Sequence, residues 1–235
     1  MIKEAIDKII EITKPELLKD EWGRLWATKN LVDISQPKAT HLVVETLSGF
    51  VDYVKEVVQK KEIFILVESA KSVRCYGIDE VLPSRHREYY ASANYQFSGF
   101  YFGQWMNLED FIIGIQVMFQ QDNNTAAILK IVGNLSDNTV TTFQDDGVSQ
   151  SVQAKTSLTK VENVALPRMI ELAPWRTFRE IEQPKSKFIF RMRQQKEQPP
   201  ACALFDVGGD LWKIEAMQRI KEYLEAALPD ILVIA

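Results

Sequence analysis

The sequence predicts an α+β fold. An N-terminal helix/strand α/β half (1–135) is followed by an antiparallel β-rich half (136–235), which a long C-terminal helix and a terminal strand close. The two halves are compatible with one integrated domain. Three observations carry this reading. Helical stripes of apolar residues at 47–58 and 107–120 flank a continuous apolar run at 63–67. From residue 139 the period changes to strict alternation around Asp145-Asp146-Gly147, a hairpin signal. A helical stripe then returns at 211–228, and Pro229 ends it. With 46% hydrophobic residues in 235, the chain can bury a sizeable core.

In chain order, residues 1–13 form a short amphipathic helix. Ile2, Ala5, Ile6, Ile9 and Ile10 share one face, and Pro15 stops it. So short a helix needs a surface to pack on. Residues 17–34 read as two or three short strands with a turn at Glu21–Arg24, and Trp22 and Trp26 as core. Thr46 is placed to N-cap the helix 47–58, whose stripe is Leu47, Phe50, Val51, Val54, Val57 and Val58, with Lys60-Lys61 at its C-terminal end. Ile63–Val67 is a central strand, and Ser72–Gly77 the next, after a turn at 69–71. Residues 83–102 are a loop followed by a strand.

Asn107 caps the helix 107–120, with Glu109 and Asp110 in its first turn. This helix is apolar nearly all round, which fits a central position or a subunit interface. Thr125–Val132 is a further helix, with Gly133-Asn134 as its C-cap. After the hairpin, Val161–Leu166 is a strand. Pro167, Pro174 and Pro184 place 169–172 and 175–181 at an edge or between sheets. Lys187–Arg193 alternates, with Phe188, Phe190 and Met192 on one face, and pairs with Ala201–Phe205. Asp210 caps the last helix, whose stripe is Leu211, Ile214, Met217, Ile220, Tyr223, Leu224 and Leu228. Ile231–Ala235 is a terminal strand that needs a sheet edge in this chain or the next.

The chemistry is sparse. Lys and Arg total 28 against 32 Asp and Glu, so no global positive field favours nucleic acid. Cys75 and Cys202 sit in apolar strands and read as buried, reduced thiols. Neither His41 nor His86 lies at metal-ligand spacing from them. Gly208-Gly209 lacks the phosphate-loop pattern, and Asp145-Asp146-Gly147 lacks the remaining ligands of a calcium loop. Glu68-Ser69 reads as a strand-end loop. No catalytic residue, metal site or cofactor is expected. The apolar run 111–119 is too short to span a bilayer, and residues 1–13 are no leader, so a soluble cytosolic protein without membrane contact is expected.

One basic and aromatic cluster stands out: Arg85, Arg87, Tyr89 and Tyr90, beside His86. Cations next to stacking rings are what a single-strand-binding surface uses. Arg176, Lys185, Lys187, Arg191 and Arg193 form a possible second stripe.

DDGVSQ (145–150), APWRTF (173–178), EQPKSKFIFRMR (182–193) and ALFDVGGDLWKIEAM (203–217) resemble a group of tailed-phage and prophage proteins broadly akin to the YfdQ-like family. TLSGFVDYV (46–54), FILVES (64–69) and ILKIVGN (128–134) extend the resemblance over most of the chain. Trp175, where that pattern has Tyr, and the long loop 194–200 depart from it. The resemblance implies the cytoplasm of a bacterial host and brings no catalytic motif. The expected function is non-enzymatic self-assembly into a homo-oligomeric ring or shell, or binding of a host or phage protein. Its interface would use Ile2, Ile6, Ile9, Trp175, Ile231 and Val233. Binding of single-stranded nucleic acid and sequestration of a small nucleotide are the alternatives.

Overall fold

The computed structural model describes residues 2–14, 17–19, 25–27, 40–58, 62–78, 88–136, 139–145, 150–157, 160–165, 167–193 and 200–235. The chain divides into two compact units, Met1–Thr40 and His41–Ala235. In the first, helix α1 (Ile2–Thr13) exposes Ile2, Ile6 and Ile9, and strands β1 (Leu17–Lys19) and β2 (Leu25–Ala27) form an antiparallel pair. Trp22 lies outside the described residues.

The second unit is α+β and is built from three sheets among the described residues. Its elements begin with β3 (Leu42–Val44), α2 (Leu47–Tyr53), β4 (Ile63–Ser69), β5 (Ser72–Gly77) and β6 (Tyr89–Asn94). With β14 (Leu232–Ile234) the strands form a sheet in the order β14-β4-β5-β6-β3. The end strands run parallel to their neighbours, and the inner pairs are antiparallel. Thr46 caps α2 as its sequence suggests, its hydroxyl accepting from the Gly49 N–H. The helix continues as a π-helical turn, Val54–Val58. That wider turn keeps Val54 and Val58 buried but turns Val57 out to solvent.

The next elements are β7 (Met106–Asn107), α3 (Leu108–Met118) and α4 (Asn123–Ser136). Asn107 caps α3 by accepting from the Asp110 N–H at 2.8 Å. Asp122 caps α4 in the same way, accepting from the Asn124 and Thr125 N–H groups. Gly133-Asn134 does not end α4: the helix runs three residues past Gly133 to Ser136. Strands β8 (Thr139–Asp145), β9 (Gln150–Ser157) and β10 (Lys160–Ala165) make an antiparallel sheet in the order β10-β9-β8. The turn residues Asp146 and Gly147 lie outside the described residues. Strands β11 (Met169–Leu172), β12 (Ser186–Arg193) and β13 (Ala201–Asp206) complete an antiparallel sheet, β11-β12-β13-β7. Helix α5 (Leu211–Ala227) leads to β14.

Two cores result. Leu47 and Phe50 from α2, Val54 from the π-helical turn, and Ile220 and Leu224 from α5 pack on Ile65, Val73, Cys75 and Ala91 of the five-stranded sheet. Phe111 and Ile115 of α3 and Ile128 and Val132 of α4 pack on Phe188, Phe190, Met192 and Leu204. Each fully buried phenylalanine contributes about 2–3 kcal/mol. Gly114 lets α3 approach Phe100: a Cβ there would meet the ring at 2.8 Å. Elements on either side of residue 136 share both sheets and both cores, because β14 joins β4 and β7 joins β13.

Two expectations for α5 fail. Leu211 and Ile214 are 71% and 69% exposed: the rest of the stripe, Met217, Ile220, Tyr223, Leu224 and Leu228, reaches the first core, whereas in the first turn it is Trp212 that packs inward, over Arg176. Asp210 makes no side-chain cap. It pairs with Lys213 at 2.8 Å, an exposed ion pair that satisfies it locally.

Candidate functional site

The outer face of the four-stranded sheet brings together cations and rings. Alternation along β12 buries Phe188, Phe190 and Met192 and turns Lys187, Ile189, Arg191 and Arg193 outward. Across the ladder, Ile189 faces Phe205, and Arg191 and Arg193 face the small residues Ala203 and Ala201. Trp105 enters just before β7. The Arg193 guanidinium lies 4.4 Å from its ring centroid, and Phe205 stands edge-on to it at 6.1 Å. Trp105, Ile189, Arg191, Arg193 and Phe205 wall an open groove of about 540 Å³, and among the described residues no Asp or Glu lines it.

The edge of β12 beyond β11 is held by one side chain. The Met192 N–H donates to Gln150 Oε1 at 3.0 Å, and Gln150 Nε2 donates to the Met192 carbonyl at 3.2 Å. The amide thus replaces a partner strand for one residue.

The outer face of the five-stranded sheet is different. Four rings stack across it: Phe64 on Tyr76 at 5.6 Å, Tyr76 on Tyr89 at 5.4 Å, and Tyr89 on His41 at 4.2 Å. The nearby Arg74 is held by Glu68 at 2.8 Å and donates to the Tyr76 hydroxyl at 3.4 Å. These rings and this cation satisfy one another.

Residues 173–186 join the two cores. Phe178 and Ile181 enter one, and the flanking Leu172 and Phe188 enter the other. Gln183, buried, organises the segment. Its carbonyl accepts from the Arg176 and Thr177 N–H groups, and its amide donates to the Phe178 and Ile181 carbonyls. The Thr177 hydroxyl donates to the Ala70 carbonyl in the β4–β5 turn.

Arg176, 8% exposed, donates to Asp206 at 3.0 Å and to the Ser186 hydroxyl, and its guanidinium lies 4.4 Å from the Trp212 ring centroid. Burial pulls its pKa below the ordinary value, and the Asp206 charge opposes that shift. The other Asp206 oxygen accepts from the Gly208 N–H, so one carboxylate fixes both the arginine and the turn into α5.

The predicted residues therefore divide. Lys187, Arg191 and Arg193 share one outer face, as their alternation implies. Arg176 does not join them: it is internal, and no surface role is open to it. Lys185 pairs with Asp122 at 3.7 Å. Tyr90 packs against the first core and donates to Glu88, whereas Tyr89 belongs to the ring stack. Arg85, His86 and Arg87 lie outside the described residues. Glu68 pairs with Arg74 and Ser69 caps a turn, as a strand end would have it.

Of the expected interface residues, Ile2, Ile6 and Ile9 are exposed on α1. Trp175 is half-buried under Arg179, whose guanidinium is 4.6 Å from its ring centroid. Val233 is buried and Ile231 packs against the same core, because β14 pairs with β4 of its own chain. Val233 is therefore not free to form an interface, and the β14 side chains that point outward are Leu232 and Ile234.

Trp105, Phe205 and Gln150 were not expected here. The only sequence signal is that Trp105 precedes a two-residue strand, and such a pairing is too short to register as a period.

Cys75 and Cys202 are buried and free, and burial pushes both thiols up to about 12. Among the described residues no group of three or more His, Cys, Asp or Glu could hold a metal, and no helix is long and apolar enough to cross a membrane. A larger cavity of about 890 Å³ has, among the described residues, Glu56, Glu62, Asp230 and Lys55 in its wall. No family model, curated protein or solved structure matches the chain.

Proposed function

We propose that this chain is a non-enzymatic phage or prophage protein that works by self-assembly, its subunits joining edge to edge into a ring or closed shell. The observation behind this reading is the state of the two ends of the five-stranded sheet. Among the described residues no strand pairs with the outer edge of β14 or β3. Natural edges are commonly guarded by Lys, Pro or a bulge. Leu232-Val233-Ile234 and Leu42-Val43-Val44 carry no charge and no proline, and Leu232, Ile234, Leu42 and Val43 are all exposed.

The strand directions give this reading a geometry. Because β14 is parallel to β4, β4 and β6 are each antiparallel to β5, and β3 is parallel to β6, the two edges run the same way. The β14 edge of one copy can therefore extend the sheet of the next at β3, by parallel pairing. Such a head-to-tail contact closes into a ring where its rotation allows. Exposed Ile113 and Val117 on α3 and the Ile2, Ile6 and Ile9 stripe on α1 supply further apolar contact area. The family resemblance supplies the phage setting, and a host or phage protein bound by the assembly is part of the proposal.

Light scattering and mass photometry at micromolar concentration test it. A uniform multimer is expected from the native chain, and smaller species from the double variant Val43→Lys, Ile234→Lys. A native chain that is monomeric, or a double variant that assembles unchanged, refutes edge-to-edge assembly.

A further inference from the structure

We infer that copies join in a single register, with Ile234 of one copy beside Val43 of the next and Leu232 beside His41, and that Glu45 is the residue that stops the strands slipping by two. The inference rests on the edge-to-edge reading above and names the pairing that such a contact adopts.

Three features of the five-stranded sheet lead to it. The first is the pleat. Val233 and Val44 belong to the first core, so the side chains that alternate with them, Leu232, Ile234 and Val43, project from the opposite face. A slip of one residue would carry Leu232 and Ile234 onto the core face and Val233 off it. Only registers that differ by two residues keep both faces continuous from one copy to the next.

The second is level. Ile234 pairs with Leu66, Leu66 with Arg74, Arg74 with Ser92, and Ser92 with Val43. Ile234 and Val43 are therefore the two ends of one row across all five strands. A copy joined at this level continues the row and sets two exposed apolar side chains against each other. The neighbouring row runs from Leu232 through Phe64, Tyr76 and Tyr89 to the His41 ring stacked on Tyr89, and it continues in the same way. On the core face, Val233 then comes beside Leu42, whose side chain is exposed at the free edge.

The third is the end of β3. The strand stops at Val44, and the chain bends at Glu45 and Thr46 into α2. A slip by two toward α2 would set Ile234 against the exposed Glu45 carboxylate and leave Leu42 without a β14 neighbour. Covering a carboxylate with an apolar side chain takes it out of water with no hydrogen bond in return. A slip by two the other way carries Leu232–Ile234 past the start of β3, so that none of the three adjoins Leu42 or Val43. The level register alone covers both of those side chains and leaves Glu45 in water.

Cysteine cross-linking of the full chain tests the register. Two double variants are treated with a bifunctional thiol reagent that reaches one inter-strand spacing, about 4.8 Å: Val43→Cys, Ile234→Cys and Val43→Cys, Leu232→Cys. Cys75 and Cys202 are buried, so the reagent meets the introduced thiols. Residues 43 and 234 lie on opposite edges of the sheet, four spacings or about 19 Å apart within one chain, so a link joins two copies. The first variant should give a ladder of covalent multimers on a denaturing gel. In the second the two positions lie about 8 Å apart across the contact, and the ladder should be weaker by about tenfold. Adding Glu45→Leu to the second variant should strengthen its ladder, because the slip then meets no carboxylate. A second variant that cross-links as well as the first overturns the register, and a ladder unchanged by Glu45→Leu overturns the role of Glu45. Absence of a ladder from both variants also overturns the register. The Val43→Lys, Ile234→Lys variant then separates the two failures: edge-to-edge assembly stands if its multimers are lost, and falls with the register if they persist.

Discussion

Arg176 and Arg193 make the same contact and have opposite fates. Each guanidinium lies 4.4 Å from a tryptophan ring centroid, Trp212 in one case and Trp105 in the other. Arg176 is enclosed, with Asp206 and Ser186 on its nitrogens, where the two cores meet. Arg193 is exposed at the end of a strand with no acidic partner among the described residues. The first directs its two terminal nitrogens at its own fold and keeps its Nε buried, and the second has donors to offer a ligand. The ring contact alone does not separate structural from binding arginines. The carboxylate and the burial do.

Breaking the buried side of this comparison should have the largest effect. Asp206→Asn leaves Arg176 enclosed without its counter-charge and should cost about 3–5 kcal/mol in urea unfolding. The double variant Arg176→Met, Asp206→Asn should regain much of that loss, because no unpaired charge then remains. A double variant as unstable as the single one would show that the pair itself, and not the stranded charge, matters.

The buried thiols extend the same logic to groups that must stay neutral. Both are held at about 12, above their unfolded value, so protonated folded Cys75 and Cys202 face ionising unfolded ones as pH rises through the unfolded pKa. The thiols' contribution to stability should be constant below about pH 8 and fall between about 9 and 12, by about 1.4 kcal/mol per thiol for each pH unit. Cys75→Ser, Cys202→Ala should flatten that alkaline slope in pH-dependent melts. An unchanged slope would place its origin elsewhere.

Gly114→Ala should cost about 1–3 kcal/mol, since the new methyl meets the Phe100 ring, itself packed against Phe111 and Phe119. Adding Phe100→Leu to it should recover part of the loss if that contact is the cause. At the small end, Arg193→Gln should change stability by less than about 1 kcal/mol, because only an exposed cation–ring contact with Trp105 is lost. A larger change would mean that Arg193 holds the Trp105 end of the sheet in place.

Much of the fold was readable from periodicity. The alternation of 187–193, the cap at Thr46, the cap at Asn107 and the edge position of 169–172 all rest on local rules, and each is observed. What escaped depends on partners distant in sequence. Arg176 reads as one cation in a basic stripe until Asp206, thirty residues later, closes on it. Leu211 and Ile214 have helical spacing, but spacing cannot show that along this stripe the core is reached only from Met217 onward. The terminal strand needed an edge, and only the tertiary pairing reveals that β4 supplies it. The site was half visible: Lys187, Arg191 and Arg193 follow from alternation, whereas Trp105 reaches them through a two-residue strand with no pattern of its own.

The return of α5 and β14 to the first core also sets an order of events during synthesis. Phe50, Ile65 and Val73 leave the ribosome early, yet the surface that covers them lies at Ile220, Leu224 and Val233, near the end of the chain. The second core draws on residues 100–204 and can be complete before α5 exists. The later-encoded core therefore matures first, and the earlier one waits with its apolar strands open to chaperones or aggregation. A ribosome stalled on a linker long enough to hold residues 1–206 clear of its exit tunnel would carry a chain with one finished core and one unfinished, and protease digestion of that nascent chain would cut within 47–94 while sparing 108–193.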